Sequence, residues 1–307
     1  MAWLGRSPAS PQGALLKANP WLEPFAEELA GLFVMPGRTA DGRLAAAKSA
    51  ATVARLAAGA AAWNAWATSM RALAPAYATD PAGQRLWAYV GSVDLAGMAL
   101  DQSMPGFAGL LFPATVDMRG TTFAGDGWFS ASIFTADARF AAAQFSGEAL
   151  FENARFEGVA DFDGVRFSRS AQFRQARFNG PASFRAARFE KDAWFRGGSF
   201  AAALDFSDAS FAGEAGFGDV SYGGAADFSC VRFGDNAGFD TARFADQVRF
   251  DAARFERNAW FEKASFKRNP SFDGARFLGR IVFDGVEVPE GGSAVHRMIA
   301  ELARRLG

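Results

Sequence analysis

A mainly β solenoid of square cross-section, preceded by helices, is predicted by three observations. Aromatic residues recur from Phe123 to Phe283 at steps that alternate six and five without a slip, Tyr222 alone replacing Phe. Across those thirty beats the position two residues earlier is alanine nineteen times and valine four times, and it is never charged. The other positions are mostly Gly, Asp, Asn, Ser, Arg and Glu, which suit turns and solvent. An 11-residue period held over fifteen copies fits neither a helix nor an ordinary strand; it is the signature of stacked repeats.

Residues i and i−2 of an extended segment point to the same side, so each beat is a short face aiming one Phe and one small residue inward. Four faces close a coil of 22 residues and stack the aromatics in columns, Phe145, Phe167 and Phe189 being consecutive rungs of one. Seven or eight coils, each adding about 4.8 Å, make a rod some 35 Å long. Tyr222 reads as a tolerated substitution whose hydroxyl needs a partner if buried.

The A-x-F-x-x runs, such as Ala171–Gln172–Phe173–Arg174–Gln175 and Ala176–Arg177–Phe178–Asn179–Gly180, resemble the pentapeptide-repeat family from about Phe107 to Val288. The resemblance implies a right-handed quadrilateral parallel β-helix. The chain departs from it by one extra residue in every second repeat, as at Gly158 and Gly180, which leaves the turn types open. Some members of that family resemble B-form DNA in shape and charge and act on DNA gyrase. Regulation of a type II topoisomerase by partial duplex mimicry is therefore a second functional reading.

Ahead of the ladder, three segments carry helix signals. Asn19–Pro20 reads as an N-cap with proline in the first turn, followed by Trp21, Phe25, Leu29 and Leu32 on one face, with Pro36–Gly37 ending it. A longer helix spans about Gly42 to Leu73, with Val53, Leu56, Ala60, Trp63, Ala67 and Met70 at helical spacing and Pro75 as its stop. Asp80–Pro81 opens the third, with Leu86, Tyr89, Val93, Gly97 and Leu100 on its face and Met104–Pro105–Gly106 closing it. The expected organisation is a helical region 1–106, a β-helix 107–288 and a capping helix within 289–307. That last helix carries Val295, Met298, Ile299, Leu302 and Leu306 on one side and covers the open strand edges of the final coil.

With i and i−2 inward, i−1 points outward and each face reads as a column. One column is apolar and aromatic: Trp128, Leu150, Gln172, Trp194, Gly216, Gly238, Trp260, Val282. Trp194 and Trp260 flank Gly216 and Gly238, which predicts a shallow floor. Such a face is expected to be covered, by the chain's own helices, by a second copy or by another protein. The opposite column runs Arg139, Asp161, Ser183, Asp205, Asp227, Arg249, Ser271. The remaining two are rich in Arg and Ser, with Arg155, Arg177 and Arg243 on one, and Arg166, Arg188, Arg232, Arg254 and Arg276 on the other.

Charge is banded along the rod. Eight basic and two acidic residues lie between Arg166 and Arg196, and eight acidic and two basic between Asp205 and Asp246. From Arg249 to Arg280 the count is eight basic against four acidic. Such bands suit a solvated surface, the register of a dimer, or the steering of a charged partner. A net charge of −1 argues against direct nucleic-acid binding.

A single histidine, His296, and a single cysteine, Cys230, give no triad and no metal-ligand spacing. Asp205 and Asp227 on neighbouring coils are close enough to share a cation, but exposed carboxylates beside Arg249 are the simpler account. The first residues lack a signal-peptide core, and no stretch suits a membrane span. A soluble, cytoplasmic chain without cofactor or metal is expected. Its predicted role is a non-enzymatic protein-interaction scaffold, with an enzyme site at the junction of helices and rod as a weaker alternative.

Overall fold

A computed structural model of the chain describes residues 10–26, 42–102 and 106–289. From Val93 onward, strands of two residues stack into four parallel sheets, three of eight strands and one of nine. Within a sheet the offset is one coil: Ala149–Leu150 pairs with Gly127–Trp128 on one side and Ala171–Gln172 on the other. The coils are joined by backbone bonds such as Phe151 N to Gln172 O at 2.7 Å.

Strands stay short because the chain turns a corner every five or six residues. At the five-residue steps the corner is a tight turn, in which Ala176 N donates to Phe173 O and Gln175 between them has φ +58°. That is the pattern of a type II turn. Among the described residues eleven other than glycine hold this left-handed position, a small cost at each that the stacked neighbours enforce. The six-residue steps accommodate the extra residue by close approach of one coil to the next. A Cβ on Gly180 would lie 2.2 Å from the carbonyl oxygen of Gly158.

Inside, the aromatics form four pillars parallel to the rod. Rings one coil apart stack, with centroids between 4.4 Å (Phe123–Phe145) and 5.7 Å (Phe200–Tyr222). Rings of opposite pillars meet edge to face across the core, as Phe162 and Phe173 do at 5.6 Å, the arrangement the ring quadrupole favours. Tyr222 is 1% exposed, its hydroxyl has no hydrogen-bond partner, and burial pushes its pKa well above the usual value. Tyr222→Phe removes an unsatisfied polar atom without opening a cavity. It is expected to stabilise the rod by about 1–2 kcal/mol in a denaturant melt; a destabilised variant would show that the hydroxyl has found a partner.

The helices are α1 (Pro11–Ala18), a 3-10 turn (Pro20–Phe25), α2 (Gly42–Ala57), α3 (Ala60–Tyr77) and α4 (Pro81–Gly91). They correct the sequence reading in four places. Asn19 caps nothing with its side chain; buried, it donates to Leu15 O and accepts from Arg55 and Trp66 Nε1 at 2.8 and 3.0 Å, so it ties three segments together. The long second helix is two helices, broken at Gly59 with φ +89°. Pro75 lies inside the last turn of α3 rather than ending it before Leu73 is passed. The third helix stops at Gly91, and Val93–Asp94 and Ala99–Leu100 are already strands, paired with Val116–Asp117 and Thr122–Phe123. Leu29, Leu32, Pro36, Gly37 and the whole C-terminal helix expected after Pro289, His296 included, lie outside the described residues.

α3 seals the start of the rod by imitating a strand. Asn64 accepts from Leu111 N and donates to Gly109 O, at 2.8 and 2.9 Å, and Trp63 Nε1 donates to Leu111 O at 2.8 Å. Backbone groups that a further coil would have paired are thereby satisfied, which removes an open edge. Among the described residues no helix is long and apolar enough to cross a membrane.

Candidate protein-interaction face

The apolar column lies in one eight-stranded sheet. Trp128 aligns with Leu150, Leu150 with Gln172, and the register continues through Trp194, Gly216, Gly238 and Trp260 to Val282. Each strand puts its first residue into the core and its second on the surface, so the tryptophans are held outward by the same alternation that buries Ala193 and Ala259. The described helices pack at the end of the rod, on the Leu111–Phe112 and Val93–Asp94 strands. Trp128 is 49% exposed.

The floor differs from the expected one. A Cβ at Gly216 would sit 2.5 Å from Trp194 Cε3, so the indole lies across Gly216, and Gly216 is buried beneath it. The Arg174 guanidinium stands 5.2 Å from the Trp194 ring. Only Gly238 remains open, with Asp240 Oδ1 as its sole close neighbour. At the head of the column, Trp128, Asp126, Asp101, Gln102 and Gly106 line a polar hollow of about 360 Å³.

Both long edges of this face are charged, and here the reading into columns passed over the corner residues. On the edge entering the strands the order is Asp126, Glu148, Arg169, Lys191 with Asp192, Glu214, Asp235, Arg257, Arg280. None of these takes part in an ion pair among the described residues. Burial, then the carboxylates of Asp192 and Asp235, pushes the Glu214 carboxyl up. On the edge leaving the strands, Arg174 pairs with Glu152 at 3.6 Å, and Arg196 with Asp219 and Asp240 at 2.7 and 3.7 Å.

The opposite sheet carries Arg139, Asp161, Ser183, Asp205, Asp227 and Arg249 in register. Asp205 and Asp227 are stacked neighbours beside a shallow hollow of about 280 Å³ that Arg249 also lines. Each turns an oxygen to its own chain, accepting from Ser207 N at 2.7 Å and Ser229 N at 2.8 Å. The arginine faces are bridged between coils, as in Arg166–Glu190 at 2.6 Å and Arg232–Glu256 at 3.1 Å. Cys230 is exposed at a corner with φ +58°.

At the junction of helices and rod, Lys48 is buried. Its ammonium donates to Ser92 Oγ at 2.6 Å and stands 4.3 Å from the Tyr89 ring, while Ser92 Oγ donates to Tyr89 O. The serine proton therefore points away from the amine, and the pair works as a clamp of α2 on α4. Burial lowers the Lys48 pKa to about 8 from 10.5, against the opposing pull of Asp94. Folded protein thus holds fewer protons than unfolded chain above pH 8, and stability rises with pH through that range. Above pH 10, Tyr77, raised to about 12 by burial, acts in the opposite sense. Melting temperature should climb between pH 8 and 10, and Lys48→Met should flatten the climb; an equal slope in both proteins would contradict the buried charge.

No curated protein matches the chain. A family model described as pentapeptide repeats (nine copies) matches residues 151–199 and 162–210. The same Phe pillars and the same offset between coils continue on both sides of the matched residues. The chain belongs to the pentapeptide-repeat family.

Proposed function

We propose that the chain is a non-enzymatic scaffold that binds protein through its tryptophan face, in a cytoplasmic setting. The observation that carries this is the single column in which Trp128, Trp194 and Trp260 project from one sheet, with Trp128 half exposed. Tryptophan contributes disproportionately where proteins meet, and an aromatic strip of this length on a solvated rod calls for a cover. The occupant is another protein or a second copy of the chain. Duplex mimicry directed at a topoisomerase fits less well, because Arg155, Arg177, Arg188, Arg232 and Arg254 give two of the four faces positive columns.

The test is the Trp194→Ser/Trp260→Ser variant against wild type, comparing assembly mass and retained proteins under native conditions, with an unfolding curve as control. Loss of the bound protein with folding unchanged is expected. Retention of every associated protein by the variant would remove the tryptophan face from the account, and inhibition of gyrase supercoiling by the purified chain would restore the second reading.

A further inference from the structure

The tryptophan face is self-complementary, and we propose that it pairs with the same face of a second copy, antiparallel and with all eight coils overlapping. This rests on the reading of that face as a protein-binding surface, and it names the occupant. A two-fold axis lying in the interface along the strand direction reverses the rod and keeps each edge opposite itself. The first coil then meets the eighth, the second the seventh, the third the sixth and the fourth the fifth.

Charge matches along both edges in that register. On the entering edge Asp126 meets Arg280, Glu148 meets Arg257 and Arg169 meets Asp235, while Lys191 reaches Glu214. These charges take part in no ion pair among the described residues. On the leaving edge Arg174 meets Asp240 and Arg196 meets Asp219. Two contacts oppose like charges, Asp192 with Glu214 and Glu152 with Glu262, and each has a lysine beside it, Lys191 and Lys263.

Other arrangements fail. A parallel pair sets each coil against itself with the entering edge facing the leaving one, which places Glu148 on Glu152, Arg169 on Arg174, Glu214 on Asp219 and Asp235 on Asp240. Sliding one coil in one direction places Glu148 on Asp235; in the other it places Arg169 on Arg257 and Glu214 on its own symmetry mate.

Shape agrees with charge. Large residues of the column fall opposite small ones: Trp260 opposite Leu150, Trp128 opposite Val282, Gln172 opposite open Gly238. Trp194 leans across its own Gly216, that is, toward the axis between the fourth and fifth coils, so the two indoles meet there. A strip about 34 Å long and about 16 Å wide gives roughly 1,100 Å² over both copies, enough for a specific interface at the smaller end of the range.

Two measurements test the pairing. Light scattering at low salt should give a dimer that weakens as salt screens the edges. Arg169→Asp alone, or Asp235→Arg alone, should raise the dissociation constant about tenfold, and the two together should restore it to within about threefold of wild type. In a Cys230→Ser background, cysteines replacing Gln172 and Gly238 on one chain lie about 10 Å apart across the interface, whereas either alone lies about 17 Å from its mate. A short bis-maleimide should therefore link the double-cysteine protein and neither single one. A monomeric wild type, linking of a single-cysteine protein, or no rescue by the double charge swap would overturn the proposal. A monomer that still holds a different protein, and releases it in the Trp194→Ser/Trp260→Ser variant, overturns the pairing alone and leaves the binding face standing.

Discussion

Phe184→Ala is expected to lower the unfolding free energy of the rod by about 3–5 kcal/mol. Phe184 is fully buried, stacked between Phe162 at 4.8 Å and Phe206 at 4.6 Å, with Phe173 and Phe195 edge-on at 5.5 and 5.6 Å. Truncation removes ring contacts on all four sides. The hole cannot collapse, because its walls are themselves pinned by backbone bonds to the coils above and below, such as Phe184 N to Asp205 O and Phe162 N to Ser183 O. A solenoid couples each coil to its neighbours only, so the damage should appear as earlier melting of the middle of the rod. Phe277→Ala, near the last described coil and 8% exposed, should lose less. Denaturant curves with amide exchange would register both; a Phe184 variant within about 1 kcal/mol of wild type would contradict the pillar arrangement.

The second large effect belongs to the junction. Trp63→Ala should also destabilise by about 3–5 kcal/mol, and it should do so by undocking the helices before the rod melts. The indole is fully buried, meets Trp66 and Phe112 edge-on at 5.2 and 5.6 Å, and its N–H holds Leu111 O. Asn64→Leu probes the polar half of the seal: Gly109 O turns to solvent, while half-buried Leu111 N loses its partner at about 1–3 kcal/mol. Limited proteolysis should cut within α2 to α4 of the Trp63 variant while the strands stay protected. Cleavage no faster than wild type would mean that the rod needs no such cap.

The rod was legible in the sequence because one residue class occupies one environment with a fixed period. Its start was not. Leu95 and Leu100 occupy rungs without Phe, and Val93, in the small-residue position, pairs with Val116 and Leu100 with Phe123, an offset of 23 residues rather than 22. An aliphatic rung with a one-residue slip looks like helical spacing, which is how Val93, Gly97 and Leu100 were absorbed into a helix. The break at Gly59 was hidden in an alanine-rich run whose propensity favours helix throughout. At the candidate face, the outward column followed from strand alternation alone. The tilt of Trp194 onto Gly216 did not, since a side chain's lean along a sheet depends on the size of its neighbour. The strand mimicry of Asn64 had no local signal either, because it matters only where a particular helix turn meets an unpaired edge.

The constant offset between coils quantises change in this molecule. Deleting 22 residues from the middle shortens the rod by one storey and leaves every later strand in its own sheet. Deleting 11 leaves each Phe pointing inward and the pillars whole, yet carries every residue beyond the cut through half a revolution. Trp260 would then stand beneath the Asp205 column, and Arg249 would join the tryptophan sheet. The interior cannot distinguish the two deletions, whereas the exterior is rewritten by one of them. Lineages of such a chain can therefore exchange surface patterns at no expense to the core, simply by gaining or losing half a coil.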